Sequence, residues 1–270
     1  MSTARVTSGA ILVAIAVGVV WFAPPPVFLA AALILVVLGV GEYAGLARAS
    51  DLTVPVVPAA AAAVLTCLTF SGSLPAAVAA LPLDVVLMSA FVALGALAVA
   101  NWRGGRDAVG SAAATLASPI YLGLPLGALV AVREAHGPAA LFLLMFTVMV
   151  SDTAQYYTGR AFGHRPLAPR ISPKKTVEGA VGGVVMGVLV LAILGHWWLP
   201  AVPPALRVAL GLAIVVLGIV GDLFESALKR GAGMKDSSSL IPGHGGVLDR
   251  IDALLFAAPV YYVVLKHASS

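Results

Sequence analysis

Nine apolar stretches run through this chain, at about 9–23, 27–47, 55–72, 84–101, 108–131, 138–159, 177–199, 205–228 and 250–266, each ended by polar or proline-rich residues. A helix needs roughly 20 mostly apolar residues to cross a bilayer, so this spacing predicts an all-α polytopic membrane protein of about nine transmembrane helices. Composition supports that reading. The chain is 60% hydrophobic and only 10% charged, whereas a soluble domain carries about a quarter charged residues to wet its surface. A soluble globular fold is therefore excluded. The first stretch follows Arg5 in the manner of a signal peptide, but Trp21-Phe22-Ala23 before Pro24, Pro25 and Pro26 is a poor cleavage site. A second apolar run starts at once, so a tight helical hairpin with a retained N-terminus is expected.

Lysine and arginine favour cytoplasmic loops. With the N-terminus inside, 13 of the 16 basic residues fall on the inner side, and only Arg133, Arg207 and Lys266 fall outside. The inner (plasma) membrane is the expected location, with the chemistry on the cytoplasmic side. Two long inner loops, 160–176 and 229–249, carry eight of those 13 inner basic residues, and Arg250 lies at the edge of the second. The expected division is an N-terminal structural region of about five spans, 1–137, and a catalytic region, 138–270, that contains both loops. The single cysteine, Cys67, sits in an apolar run and is expected to be a small buried hydrophobe, since one thiol makes neither an internal disulfide nor a thiolate metal site.

Acidic residues concentrate late: seven of 12 lie after position 150, namely Asp152, Glu178, Asp222, Glu225, Asp236, Asp249 and Asp252. A carboxylate inside a span costs about 2.5–3.5 kcal/mol even on the insertion scale, so such groups are expected to face protein or a hydrated cleft. Asp222 follows the uncharged run Val208–Gly221 and precedes Lys229 by seven residues, roughly 10 Å of helix. Asp222, Glu225, Ser226 and Lys229 share one helix face by their spacing. After a polar loop come Pro242-Gly243-His244-Gly245-Gly246 and Asp249-Arg250-Ile251-Asp252. Glycines here let the backbone approach a phosphate closely and offer its N–H groups. A carboxylate ending one span and another beginning the next are the oxygen ligands that Mg²⁺ takes. An ion-pair network between helices remains the alternative. Glu42, beside Tyr43 near the inner end of the second span, is expected mainly to reach toward water from its helix end, with support of an active site as the other reading.

The stretch from Ser226 to Asp252, with Lys229, Arg230, Lys235, Asp236, His244, Gly245, Gly246, Asp249, Arg250 and Asp252 at its fixed polar and glycine positions, resembles the signature of the phosphatidate cytidylyltransferase family. Asp152-Thr153-Ala154-Gln155-Tyr156-Tyr157-Thr158-Gly159 resembles a second family segment, with Gln155 where alanine is usual. Ser172-Pro173-Lys174-Lys175-Thr176-Val177-Glu178-Gly179 resembles a third. The resemblance runs through about 150–260; the N-terminal half agrees only in hydropathy.

The resemblance implies transfer of a cytidylyl group from CTP to phosphatidic acid at the membrane surface, giving CDP-diacylglycerol and pyrophosphate. It implies Mg²⁺, and leaves a second metal ion open. On this reading Asp222 and Asp249 hold the metal, with Asp252 and Glu225 as ligands or support. Lys229, Arg230, Lys235 and Arg250 grip phosphates, Asp236 orients one of these bases, and His244 positions or donates to a phosphate. Lys175, Thr176, Ser226, Gly245, Gly246, Asp152 and Tyr156 are expected to line the substrates. The partners expected are CTP, phosphatidic acid and the lipid bilayer, with no nucleic acid, and the resemblance suggests a homodimer. Gly179, Gly183 and Gly187 form a row that suits close helix packing, within or between subunits. Two rival readings are a CTP-dependent lipid kinase, which the match over Lys229–Asp252 opposes, and an ion-coupled transporter, which the placement of charge at the inner edge opposes.

Overall fold

The computed structural model describes residues 3–74, 81–100, 107–241 and 243–268, with side chains from residue 9 onward. Arg103, Arg106, Pro242 and the side chain of Arg5 lie outside the described residues. The helices are α1 (Thr3–Phe22), α2 (Pro25–Ala49), α3 (Val56–Leu68), α4 (Leu83–Ala100), α5 (Ala108–Ser118), α6 (Leu124–Phe162), α7 (Val177–Trp198), α8 (Pro204–Gly231) and α9 (Leu248–Ala268). A single π-turn, Pro119–Gly123, joins α5 to α6. α6 is two helices in one: Gly137 (φ 81, ψ 178) breaks it just before Pro138, because a proline ring excludes helical geometry from the preceding residue and only glycine takes this φ without strain. Among the described residues, five helical stretches are long and apolar enough to cross a membrane: Pro25–Ala49, Leu83–Ala100, Ala108–Phe162, Val177–Trp198 and Pro204–Gly231. Gly9–Phe22 and Val56–Leu68 are apolar but shorter. The chain is thus a helical membrane protein.

One element departs from the all-α expectation. Within the basic loop 160–176, β1 (Pro166–Ala168) pairs antiparallel with β2 (Ser172–Thr176). The prolines at 166, 169 and 173 hide these short strands from a periodicity reading. The hairpin is tied down by Glu178, whose Oε2 accepts from the amides of His164 and Arg165 at 3.1 and 3.2 Å.

The chain divides into two compact units. The first comprises 1–134 and 228–250, and the second 135–227 and 251–270. The first boundary lies three residues before the expected one at 137/138, but the segment 228–250 groups with the N-terminal helices and not with the C-terminal ones.

In the first unit, α2 begins on Pro24, Pro25 and Pro26, whose missing N–H groups cost nothing at a helix start. The guanidinium of Arg133 donates to the carbonyls of Val20 (2.7 Å) and Ala23 (3.3 Å), satisfying the end of α1. Val36, Val40, Ala59, Ala63, Cys67 and Leu122 are fully buried. A side chain on Gly123 would overlap the Ala63 carbonyl, so this glycine sets the approach of the π-turn to α3.

In the second unit, the face of α7 bearing Gly179, Gly183, Gly187, Leu191 and Gly195 is buried. Val181, Val185, Leu189 and Ile193 on the opposite face are exposed, as a lipid-facing stripe should be. A methyl on Gly183 would collide with Gln155 and one on Gly187 with Val215. The glycine row is thus spent on packing inside the chain. Arg207, expected outside, is 6% exposed; its Nε donates to the Val202 carbonyl at 2.7 Å and its stem packs on Gly195.

Candidate active site

The residues singled out by sequence fall into two groups, one in each unit. In the first unit they sit on the segment 228–250. Lys229 at the end of α8 is buried and pairs with Asp249 Oδ1 in the first turn of α9 at 2.5 Å. Asp249 Oδ2 accepts from the amide of Ser237 (2.9 Å), the amide of Gly246 (2.8 Å) and the hydroxyl of Ser237 (2.8 Å). Two left-handed glycines shape this turn, Gly243 (φ 76) and Gly245 (φ 78), and a short bridge joins Ile241 to Gly245. The backbone thereby folds back on the helix start and delivers amides to the carboxylate.

Glu42 from α2 completes the arrangement. It is buried, and each of its oxygens is engaged twice. Oε1 accepts from Ser238 Oγ (2.7 Å) and the Val247 amide (2.9 Å); Oε2 accepts from the Leu248 amide (2.8 Å) and lies 3.0 Å from Ser237 Oγ. It therefore caps α9, whose first N–H groups have no partner within the helix. The main expectation for this residue, a carboxylate reaching toward water, is corrected: with four donors around it inside the unit it has no need of solvent. Gly246 exists for the same reason, since a methyl there would overlap Ser237 Oγ and both Glu42 oxygens.

The other residues of the segment are more open. Arg230, Lys235, Asp236 and Arg250 are exposed, and Arg230 donates to the Met234 carbonyl at 3.0 Å. Basic heads displayed to solvent are free to turn toward an anion. The His244 imidazole faces α1, with Nε2 3.2 Å from where a methyl on Gly9 would stand. Sequence reading assigned α1 no part near this loop, and a lone glycine in an apolar run gave no signal for it.

In the second unit, Lys175 at the end of the β-hairpin pairs with Asp222 Oδ2 of α8 at 2.5 Å. Ser226 Oγ donates to Asp222 Oδ1 at 3.3 Å. Glu225 is fully buried, whereas Phe224 and Val220 are about two-fifths exposed, so the polar face of α8 does turn inward. Asp152 of α6 receives the side-chain amide of Gln155 at 3.0 Å and lies within electrostatic reach of Lys175 and Asp222. Gln155, which departs from the family pattern, is accommodated by the bare surface of Gly183. Tyr156 is exposed, its hydroxyl 3.4 Å from Arg160. Thr176 caps α7, its hydroxyl accepting from the Gly179 amide at 3.1 Å. Gly221 lets α8 approach the backbone of Asp252 so closely that a methyl would collide with its carbonyl. Asp222 and Asp252 are therefore carried on adjacent parts of two close-packed helices.

Mg²⁺ is usually bound by one or two carboxylates, with the remaining positions taken by water and substrate phosphate. Asp222 and Asp252 offer that donor chemistry, and Asp222 is about one-third exposed at its side chain. Among the described residues no three of His, Cys, Asp and Glu converge to hold an ion unaided. The residues present fit an ion that arrives with a phosphate better than one permanently caged. Both oxygens of Asp249 are already taken by protein donors, so an ion there would have to displace the Lys229 ammonium.

The chain matches the cytidylyltransferase family across residues 3–268 and belongs to it. The likeness is thus wider than the 150–260 carried by the motifs. It is 42% identical over 127 residues to a phosphatidate cytidylyltransferase of Aquifex aeolicus, covering 46% of each chain. It is 40% identical over 152 residues to one of Thermotoga maritima, covering 54% of this chain and 56% of that protein. To one of Brucella suis it is 40% identical over 176 residues, covering 62% of this chain and 60% of the other. These matches span about half the length of the curated relatives.

Proposed function

We propose that this member of the cytidylyltransferase family transfers the cytidylyl group of CTP to phosphatidic acid, giving CDP-diacylglycerol and pyrophosphate, as a step of phospholipid synthesis. The observation that carries the reading is the polar segment Ser226–Asp252, which holds four exposed or ion-paired basic residues around one glycine turn at the end of an apolar helix. The name carried by the Aquifex, Thermotoga and Brucella relatives supports it. In the reaction an oxygen of the lipid phosphate attacks the α-phosphorus of CTP. The bond from that phosphorus to the bridging oxygen of the β-phosphate breaks, and pyrophosphate leaves with the electron pair. The attacking phosphate is largely ionised near neutral pH, so no side chain need remove a proton.

The demand on the protein is to bring two polyanions together. Arg230, Lys235 and Arg250 bind phosphate oxygens from the solvent side. Lys229 and Lys175, each already held by a carboxylate, supply positive charge at fixed positions, which costs no reorganisation as charge develops. Ser226, Gly245, Gly246, Asp152, Tyr156 and Thr176 line the substrates, and His244 orients a phosphate. Asp222 and Asp252, with Glu225 beside them on the same helix face as Asp222, would hold Mg²⁺, whose charge would offset that of the phosphates, while Asp249 keeps Lys229 in place. The catalytic loops face the cytoplasm from a nine-span body in the inner membrane. Dimerisation, suggested by family resemblance, is tested by the mass of the protein–detergent particle.

The decisive experiment supplies purified protein with phosphatidic acid, Mg²⁺ and CTP labelled both in the base and at the γ-phosphate. Base label in lipid with release of pyrophosphate is expected, with loss on chelation and recovery on adding Mg²⁺. Lipid labelled from the γ-phosphate alone would make the protein a kinase.

A further inference from the structure

We infer that Glu42 is a positioning residue for the phosphate-binding segment, acting through Ser237 and Asp249 on the ammonium of Lys229; its catalytic meaning rests on the function proposed above. Four residues stand in one continuous row of polar contacts inside the first unit, with a single hydroxyl proton shared at Ser237. Glu42 Oε2 meets Ser237 Oγ at 3.0 Å, Ser237 Oγ meets Asp249 Oδ2 at 2.8 Å, and Asp249 Oδ1 holds Lys229. Glu42, Ser237 and Lys229 are all buried. A buried network of this kind rigidifies its members when every one is satisfied.

The row has a particular asymmetry. A serine hydroxyl has one proton and two acceptor lone pairs, yet Ser237 Oγ lies within hydrogen-bond distance of two carboxylates. It donates to one of them at a time. Each carboxylate is stabilised by other donors: Glu42 by Ser238 and the amides of Val247 and Leu248, Asp249 by Lys229 and the amides of Ser237 and Gly246. Glu42 thus contributes the three contacts that do not depend on the shared proton, and these fix where residues 237–248 stand. Asp249 follows at the start of the same helix, and Lys229 follows Asp249. A mere helix cap would need the two α9 amides alone. Engagement of both Ser237 and Ser238 ties the loop ahead of the helix to the same carboxylate, and that loop contains Gly243–Gly246.

The test compares wild-type protein with Glu42→Ala, Glu42→Gln and Ser237→Ala, and with Glu134→Ala as control. Glu134 belongs to the same unit and also binds a loop, accepting from Ser71, Gly72 and Ser73, a loop other than 228–250. Three readouts are taken in detergent: hydrogen exchange of peptides within 237–248, acylation of Lys229 by an amine reagent, and kcat with KM for CTP. Glu42→Ala is expected to raise exchange and Lys229 labelling at least about tenfold, and to lower kcat roughly 100-fold, as small misplacements of a reacting group do. Glu42→Gln keeps one acceptor oxygen and falls between. Ser237→Ala added to Glu42→Ala costs less than the two single effects combined, because they share one path. Glu134→Ala lowers thermal stability but leaves labelling, kcat and KM per folded molecule unchanged.

If Glu42→Ala does not fold, Glu42→Gln carries the comparison. Exchange and labelling no greater than in Glu134→Ala would overturn the inference. So would a loosened loop with unaltered kcat and KM, which would reduce Glu42 to a structural cap. An inactive wild-type protein would sink the proposed function, while exchange and labelling would still decide whether Glu42 positions Lys229.

Discussion

Lys229 shows most directly how a single residue here depends on its partner. Its side chain is 10% exposed and that of Asp249 only 6%, so neither charge can be left alone inside the protein. Removing one member of such a buried pair costs about 3–5 kcal/mol, most of it from the charge left behind. Lys229→Ala is therefore expected to destabilise the protein by about that much, and Lys229→Ala with Asp249→Ala by less than the sum of the two single changes. Thermal unfolding in a fixed detergent measures both. Gly246 makes a steric counterpart. A methyl at this position overlaps Glu42 and Ser237, so Gly246→Ala is expected to lower the unfolding temperature and raise exchange of the 237–248 peptides even though the change adds one carbon. Had Gly246 served only to present its amide to a phosphate, exchange in the free protein would stay as it is.

At the scale of elements, the hairpin and α7 form a delivery device. Thr176 ends β2 and caps α7, so the strand that carries Lys175 is joined without slack to the helix behind it. Thr176→Ala is expected to cost about 1 kcal/mol, and Thr176→Ser to restore most of it, because only the hydroxyl makes the cap. If the threonine served substrate alone, the unfolding temperature without CTP would not move. The glycine row of α7 acts at the same scale. Gly183 and Gly187 meet Gln155 and Val215 of the same unit, so Gly187→Leu should unfold the second unit at lower temperature while leaving the particle mass unchanged. A change in particle mass without loss of stability would instead place the row between subunits.

For the molecule as a whole, the arrangement of charge predicts orientation. Cys67 is fully buried, so Cys67→Ala gives a background free of thiols at little structural cost. In that background His164→Cys, on the basic hairpin, is expected to react with a membrane-impermeant thiol reagent only when the cytoplasmic face is open. Ala201→Cys, in the exposed turn before α8, should react only from outside. The opposite pattern would reverse the topology and with it the side on which the basic loops lie.

Much of this architecture is local information, and the sequence carries it. Runs of apolar residues determine where helices lie, since each helix satisfies its own backbone hydrogen bonds within one stretch of chain. The i, i+3, i+4, i+7 spacing of Asp222, Glu225, Ser226 and Lys229 determines that they share a face, and the polar signature points to the family. Partnership is a different matter. The ion pair of Lys175 with Asp222 joins residues distant in the chain, and Glu42 receives its four donors from residues 195 to 206 positions away. No periodicity reports a contact of that length. The strands around Pro166, Pro169 and Pro173 escape notice because they are short and their prolines read as loop. Tertiary structure alone decided that segment 228–250 groups with the N-terminal helices, that Asp249 is engaged on both oxygens, and that a glutamate in an apolar helix anchors the turn leading into α9. The physical reason is desolvation: a buried carboxylate must find donors wherever the fold brings them.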